Sequence, residues 1–409
     1  MAAVNCQSAC LPVHRAASGL TRRSCSLQLE KREDALAIMF TILHTADVHL
    51  DRAYAGPGMS AGIAAARRQE LRDGFRRFID LALELRADAV TVGGDLYEHD
   101  RATADTGHFL REQLARLGQT PALLAPGNHD PYLPDSLYAR VGWPANVTIF
   151  REPALRPVTL RDGLTLWGAG HDSPDLRENL LAGLRVQGAG VHLLLFHGSN
   201  VRSVPEGKAS HCPFLPDEIT ASGARFALLG HYHSPALYPP DAPVLAYPGT
   251  PEPLDFSEDG EHQVLRLDIE PDGSVRPEFI PFGRVSYSTH CIDVSPMLTS
   301  EGIRAAICNL PVRGTIVRAV LEGPVHPDVE LDVGVLYNLC AEHFAFIDIV
   351  NRTTPGYDLD ELREESTTKG AFVRLMLARM EGWEGEEVEI AREALAYGLR
   401  AFDRREISV

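Results

Sequence analysis

Phe40-Thr41-Ile42-Leu43-His44-Thr45-Ala46-Asp47-Val48-His49 opens as a short β-prone strand, Phe40 to Ala46, and breaks into an Asp-x-His. Downstream, Ala64 to Leu85 places Leu71, Phe75, Phe78, Leu81 and Leu85 on one face at helical spacing, with Arg67, Arg68, Arg72, Arg76 and Arg77 elsewhere. That spacing predicts a long amphipathic crossover helix. Further brief apolar runs, Ala89 to Val92, Ala122 to Leu124, Val191 to Phe196 and Phe226 to Leu229, read as buried strands. Strand, helix, strand in alternation predicts an α/β layered core. In such sheets the loops at the carboxyl ends of the strands build the site.

Each of those strands is followed by side chains that ligate metals. After Asp47-Val48-His49 come Gly94-Asp95, Gly127-Asn128-His129-Asp130, His197-Gly198 and Gly230-His231-Tyr232-His233. One Asp-x-His carries little weight in a chain with 16 histidines. Five such groups in order, each at the mouth of a predicted strand, point to one centre. Hydrolysing a phosphate ester needs charge neutralisation and an activated water, and two divalent ions roughly 3.5 to 4 Å apart supply both. Carboxylate, imidazole and amide donors together suit Mn²⁺, Fe²⁺ or Zn²⁺. The glycines at 94, 127, 198 and 230 fit tight turns that bring the backbone close to the ions.

The 409 residues carry 39 basic and 56 acidic side chains, a net charge of −17, with 44% apolar residues and 7 cysteines. That length predicts more than one domain. No apolar run approaches the roughly 18 residues of a membrane-spanning helix, so no membrane association is expected. The cysteines show no C-x-x-C pair and no disulfide spacing, which places the chain in a reducing compartment, taken here as the cytoplasm. Charge is uneven: net +2 over residues 1–38, −5 over 39–254 and −14 over 255–409. The basic footprint of a sequence-independent DNA binder is missing globally. A nucleic-acid role would rest on metal ions, a local arginine patch or a partner subunit.

Residues 1–38 lack periodicity and run Arg15, Arg22, Arg23 among serines, in the manner of a transit peptide or of an upstream extension outside the fold. The catalytic region is expected over 39–254. A smaller α+β domain over 255–365 would hold strands His262 to Ile269, Arg276 to Phe282, Thr315 to Leu321 and Phe344 to Val350. Its helices would lie near Glu301 to Asn309 and Val329 to His343. Two helices close the chain over 366–409. Ala371 to Met380 carries Phe372, Val373, Met376, Leu377 and Met380 on one side. Glu386 to Phe402 carries a stripe of Val388, Ala391, Leu395, Leu399 and Phe402 that packs on its own domain or accepts another protein's helix.

The series D-x-H, G-D-L, G-N-H-D, H-G and G-H-x-H, over nearly all of residues 40–234, resembles the calcineurin-like metallophosphoesterases. Ile42 to Asp51 and Tyr247-Pro248-Gly249-Thr250-Pro251-Glu252-Pro253-Leu254-Asp255-Phe256 are similar to the SbcD and YhaO-like DNA-repair exonuclease branch. The resemblance implies a layered β-sandwich flanked by helices, with a capping domain and ATPase-docking helices at the C-terminal end. It implies a first metal on Asp47, His49, Asp95 and His233 and a second on Asp95, Asn128, His197 and His231, with Asp95 bridging; Mn²⁺ is the expected ion. His129 would contact the phosphate and protonate the departing oxygen, and Asp130 would orient His129. Some relatives place another histidine three residues after the bridging aspartate, where this chain has Glu98, with His99 next door. DNA is the implied substrate and an SMC-like ATPase of the SbcC or YhaN type the implied partner; homodimerisation stays open.

Plainer readings apply elsewhere. His44 and His192 lie within strands and read as packed histidines; His99, His108, His171, His211, His262, His290, His326 and His343 have no motif around them. The arginines of the 67–77 helix could steer phosphates, or form a solvated face. Glu384, Glu386, Glu387 and Glu389 read as a helix start favoured by the helix dipole. Gly207-Lys208-Ala209-Ser210 fails the phosphate-loop pattern, so ATP hydrolysis belongs to a separate subunit. No G-x-S-x-G elbow occurs, which argues against serine hydrolase chemistry. Two other functions compete with the nuclease reading. One is the same chemistry on nucleotides, cyclic nucleotides or phosphoproteins, and the other is a metal-bound scaffold with little turnover.

Overall fold

The computed structural model describes residues 39–54, 59–203, 210–258, 260–311, 316–326, 329–381, 383 and 386–403. The expectations for residues 1–38, for Gly207 to Ala209, for Thr315 and for Glu384 lie outside the described residues.

Two six-stranded sheets form the main body. The first holds β1 (Phe40–Thr45), β2 (Ala89–Val92), β3 (Ala122–Leu124) and β4 (Val147–Ile149) in parallel. The second contains β5 (Arg156–Arg161), β6 (Leu164–Gly168), β7 (Val191–His197), β8 (Phe226–Gly230), β9 (Ala236–Tyr238) and β10 (Leu245–Tyr247), in the order β5-β6-β7-β8-β10-β9. Strands β6, β7, β8 and β10 are parallel, with antiparallel β5 and β9 at the edges. The hairpin β11 (Gln263–Ile269) and β12 (Val275–Pro281) extends the first sheet, with β11 antiparallel to β1.

That hairpin corrects the sequence-based placement of strands 262–269 and 276–282 in the second region. The cause lies in β11, where Val264, Leu265, Leu267 and Ile269 are all buried. Buried on both faces, the strand is covered by the other sheet on one side and by helices on the other, so it belongs inside the main sandwich.

Side-chain alternation sorts the layers. Ile42 of β1, Leu123, Leu166, Leu193, Leu195, Phe226 and Leu267 fill the space between the sheets. Leu43 and Val90 point the other way, onto α1 (Ala61–Glu84) and α2 (Ala104–Ala115) through Leu71, Phe75, Phe78, Phe109 and Leu110. Ser60 caps α1 by accepting from the Ile63 amide, and Thr103 caps α2 through the Thr106 amide. The outer face of the second sheet is covered by Leu181, Phe214 and Ile219. Each fully buried Leu, Ile or Phe contributes about 1.5–3 kcal/mol, so this four-layer stack is the main source of rigidity beneath the site.

Two of the five α1 arginines, Arg67 and Arg77, do not belong to a solvated face, whereas Arg76 is exposed. Arg67 is buried, gives Nη2–H to the Pro253 carbonyl at 2.8 Å and stacks on Tyr54 and Tyr287. Arg77 pairs with buried Glu252, which also accepts from the Arg284 and Val285 amides. Charge on this helix therefore anchors the segment leading into the third sheet.

That sheet is parallel, β13 (Tyr287–Asp293), β14 (Ile316–Val325) and β15 (Phe346–Pro355). The helices Ser300–Cys308 and Val333–Cys340 cover one of its faces through Val317, Ala319, Leu321, Ile347 and Ile349. The opposite face sets Tyr287, Ile316 and Phe346 against Met59, Ile63 and Phe256. The closing helices are Thr368–Met380 and Glu386–Phe402. From the predicted stripe, Leu395 and Leu399 pack on Val373 and Leu362 of the same chain, whereas Phe402 is exposed. Leu375, Ile390 and Tyr397 are also exposed on these helices. Among the described residues no helix is long and apolar enough to cross a membrane.

His44 is a core histidine, as its position inside β1 suggests. The Leu229 carbonyl only accepts, so Nε2–H donates to it at 3.0 Å and Nδ1 accepts from the Thr91 hydroxyl at 2.9 Å. Burial lowers His44 from 6.5 to about 4. A histidine depressed on folding lends stability above its unfolded value that is lost as pH falls toward the folded one. Measured by urea unfolding in chelator, the stability of the parent minus that of His44→Leu should fall by about 2 kcal/mol from pH 7 to pH 5. A difference that does not change with pH would refute the assignment.

Candidate metal centre

Because β1, β2, β3, β7 and β8 run parallel within their sheets, their carboxyl ends gather along one edge of the sandwich. The two sheets touch there. A methyl group at Gly230 would lie 2.3 Å from the Gly93 carbonyl oxygen, so only bare backbone permits the approach. The glycines make room for neighbouring side chains. A Cβ on Gly127 would sit 2.3 Å from Asp95 Oδ1 and 2.9 Å from His197 Nδ1, and one on Gly94, at φ +98°, would sit 2.5 Å from the same nitrogen.

Asp47, His49 and Asp95 all adopt left-handed backbone near φ +50°, and His231 has φ 112°. Such conformations cost about 1–3 kcal/mol each in a non-glycine residue and persist only where the surroundings enforce them. Here they are enforced by the Asp47 amide donating to the Gly94 carbonyl at 3.0 Å and the His49 amide to the Asp95 carbonyl at 2.9 Å. The His231 amide donates to both Asp47 carboxylate oxygens.

All seven ligand candidates meet at this edge. Three overlapping sets, Asp47 with His49 and His233, His49 with Asp95 and His129, and Asp47 with Asp95 and His197, each bring their ligand atoms within 4.8 Å of one another. Asn128 Oδ1 lies 3.0 Å from His197 Nε2, and His231 Nδ1 lies 3.2 Å from it.

Tautomers are fixed from behind. Nδ1–H of His197 donates to the Gly93 carbonyl at 2.9 Å. Its Nε2 lone pair therefore faces Asn128 Oδ1 and, at 3.4 Å, Asp95 Oδ2, acceptors that a cation satisfies and a single proton does not. His49 gives Nδ1–H to Glu98 Oε1 at 2.9 Å, and its buried Nε2, 3.8 Å from Asp95 Oδ2, has no hydrogen-bond partner among the described residues. His233 gives Nδ1–H to Glu258, which also accepts from the Thr250 hydroxyl and the Leu254 amide at 2.9 Å each. Carboxylates behind imidazoles set tautomer and basicity at metal sites. The donor set thus fits divalent cations.

Electrostatics agree. Burial, reinforced by Asp95, pushes Asp47 up to about 7. Burial also opposes ionisation of Asp95, but His197, His49 and His129 overcome it and hold that carboxyl far below the usual range. Burial keeps His49 and His197 below 6.5, in the neutral form that ligates. Glu98 is held down at about 2: burial works against its charge, and His129 and His49 outweigh it.

His129 sits at the open rim, 44% exposed, with its ring 4.8 Å from that of His49. The Asp130 orienting role does not hold. Asp130 is fully buried and accepts from the Gly127, Asp95 and Leu96 amides and the Tyr138 hydroxyl, which staples two ligand loops together. Glu98 takes that place instead, through Oε2 to His129 Nδ1 at 2.9 Å, and this hydrogen bond raises His129 to about 9. One carboxylate thus grips two imidazoles.

Glu98 stood next to a quoted motif, whereas Glu258 follows no ligand spacing and was invisible in sequence. His171 and His211 were also missed. His171 Nε2 bonds the His197 carbonyl at 2.9 Å, and the His211 ring lies 5.4 Å from that of His231. His99 turns away, its Nε2 3.6 Å from Asp135.

Residues 40–235 match the calcineurin-like phosphoesterase family. The uncharacterized metallophosphoesterase YhaO of Bacillus subtilis is 26% identical across 62% of this chain and 63% of that protein. The DNA double-strand break repair protein Mre11 of Methanopyrus kandleri is 24% identical across 68% of this chain and 63% of its own length. The chain thus spans less than two thirds of either relative. The crystal structure of TT1561 of Thermus thermophilus aligns with a TM-score of 0.36 at 14% identity, covering 59% of this chain and 99% of that one.

Replacing Glu98 by alanine frees both imidazoles at once. Mn²⁺ affinity, measured by titration calorimetry, should fall about 10- to 100-fold. Affinity within twofold of the parent would show that the grip on His49 is incidental.

Proposed function

With a calcineurin-like phosphoesterase domain over residues 40–235 as its premise, we propose that the chain is a two-metal phosphodiesterase acting on DNA, in the cytoplasm, together with an SMC-like ATPase. The carrying observation is the convergence of seven ligand side chains, several with unprotonated atoms facing one space. Asp47, His49, Asp95 and His233 would hold one ion, and Asp95, Asn128, His197 and His231 the other, Mn²⁺ being preferred and Fe²⁺ or Zn²⁺ compatible. When bound, the pair neutralises phosphate charge and supplies an activated water.

The residues of the chain do the rest. Glu98 keeps His129 protonated at the exposed rim, where it contacts the phosphate and gives its proton to the departing oxygen. Glu98, Glu258 and the Gly93 carbonyl hold the ligating imidazoles in one orientation. Asp130 keeps the Asp95 and Asn128 loops in register from beneath. The likeness to Mre11 supports a DNA substrate. Leu375, Ile390 and Tyr397, exposed on the closing helices, support an ATPase-docking surface there. A net charge of −17 favours a second reading, hydrolysis of nucleotides, cyclic nucleotides or phosphoproteins.

Linear duplex, circular single-stranded DNA and bis(4-nitrophenyl) phosphate, assayed side by side with Mn²⁺, should all be cleaved; activity confined to the small ester would favour the second reading. Asp95→Ala should lose both metal, by elemental analysis, and turnover. His129→Ala should keep metal and lose at least about 100-fold in rate. Normal turnover in either variant would overturn the mechanism.

Deletion of residues 371–409 should spare ester hydrolysis and abolish co-purification with the ATPase. Retained co-purification would move the docking surface elsewhere.

A further inference from the structure

Beside the metal centre lies a cleft that metal chemistry does not use. Its volume is about 450 Å³, and one wall is the face of the third sheet that its helices leave uncovered. Glu98 belongs to the opposite wall, so the cleft adjoins His49 and His129, which that carboxylate grips. The size falls within the roughly 300–1,000 Å³ of small-molecule sites.

The lining combines flat aromatic surface with cations. The Arg318 guanidinium lies 4.0 Å above the centre of the Phe256 ring, and Asp348, its partner across the β14–β15 register, holds it there through Nε at 2.7 Å. Phe256 meets Tyr287 edge to face at 4.8 Å. The three carboxylates of the lining are engaged: Asp348 by Arg318, Asp255 by Arg52 at 3.0 Å, and Glu98 by its two histidines. Arg101, also in the lining, is exposed and pairs with no carboxylate among the described residues. A half-buried ring clamped to a guanidinium, next to a free guanidinium, offers a planar stacking platform and a phosphate contact together. Proteins that bind unpaired nucleic acid use this combination. A base inside a duplex is already stacked and cannot enter a cleft between the third sheet and the loops beside the metal centre.

We propose that this cleft is a nucleobase subsite, taking one unpaired base of a polynucleotide strand whose neighbouring phosphate lies at the metal centre. The inference rests on the phosphodiesterase reading above and adds to it a preference for single-stranded or frayed ends. Phe256 and Arg318 form the stacking platform, and Arg101 meets the backbone.

The test is fluorescence anisotropy on the full-length chain in EDTA, where no cleavage competes, with labelled hexathymidylate and an abasic hexamer of equal charge. Stacking of one base should favour hexathymidylate by about 5- to 150-fold. Phe256→Ala should bring the ratio of the two affinities close to one, and Phe256→Tyr should restore it. Arg101→Ala should weaken both hexamers alike. Equal affinity of the parent for the two hexamers, or no affinity for either, would overturn the subsite, as would a ratio that survives Phe256→Ala. Hydrolysis of bis(4-nitrophenyl) phosphate with Mn²⁺ is scored separately. Its absence would sink the phosphodiesterase reading and leave base-dependent binding standing, whereas hydrolysis without base-dependent binding would sink the subsite alone.

Discussion

The contact between Gly93 and Gly230 sets the geometry of everything above it. Two sheets that pack face to face normally keep their backbones about 10 Å apart. At this edge they close until a single methyl group could not be admitted, and the Gly93 carbonyl receives the His197 imidazole from the other sheet at 2.9 Å. Groups separated by 184 residues thereby become neighbours, as the Asp47 carboxylate and the His231 amide show. Without that approach, the ligands on β1 to β3 and those on β7 and β8 would face one another across an apolar gap.

Much of this was legible in the sequence because strand ends punctuate strongly. The runs at 89–92 and 122–124 match their strands residue for residue, and those at 191 and 226 extend one residue further. The candidate ligands stood out because motif and strand end coincide. Elsewhere the signal failed for physical reasons. The hairpin 263–281 follows a proline-rich stretch that looks like a boundary, and no local pattern reveals that β11 returns to pair with β1. Short strands such as β9 and β10 contain too few residues to show a period. Asp130 was misread because adjacency in sequence suggested adjacency in space. The left-handed turn at Asp95 instead presents its amide to Asp130, and the imidazole of His129 swings to Glu98.

Charge tells a similar story of sequence and space. A row of five arginines on one helix invites an electrostatic role toward phosphates, yet Arg67 and Arg77 are spent on holding Pro253 and Glu252. The cations that line the cleft near the centre are scattered in sequence, at 52, 101 and 318, and no linear patch could have revealed them. An acidic protein can thus offer a locally favourable surface to a polyanion, since screening limits repulsion from distant carboxylates to about 8–10 Å at ordinary salt.

The one-way orientation of the parallel strands leaves the molecule with two unlike rims. Every ligand-bearing loop leaves from one, while the turns entering β2, β3, β7 and β8, near residues 87, 120, 189 and 224, emerge on the other. That far rim is where a dye, a surface tether or a grafted segment could be attached with the catalytic machinery out of reach, making the fold a convenient handle for single-molecule work.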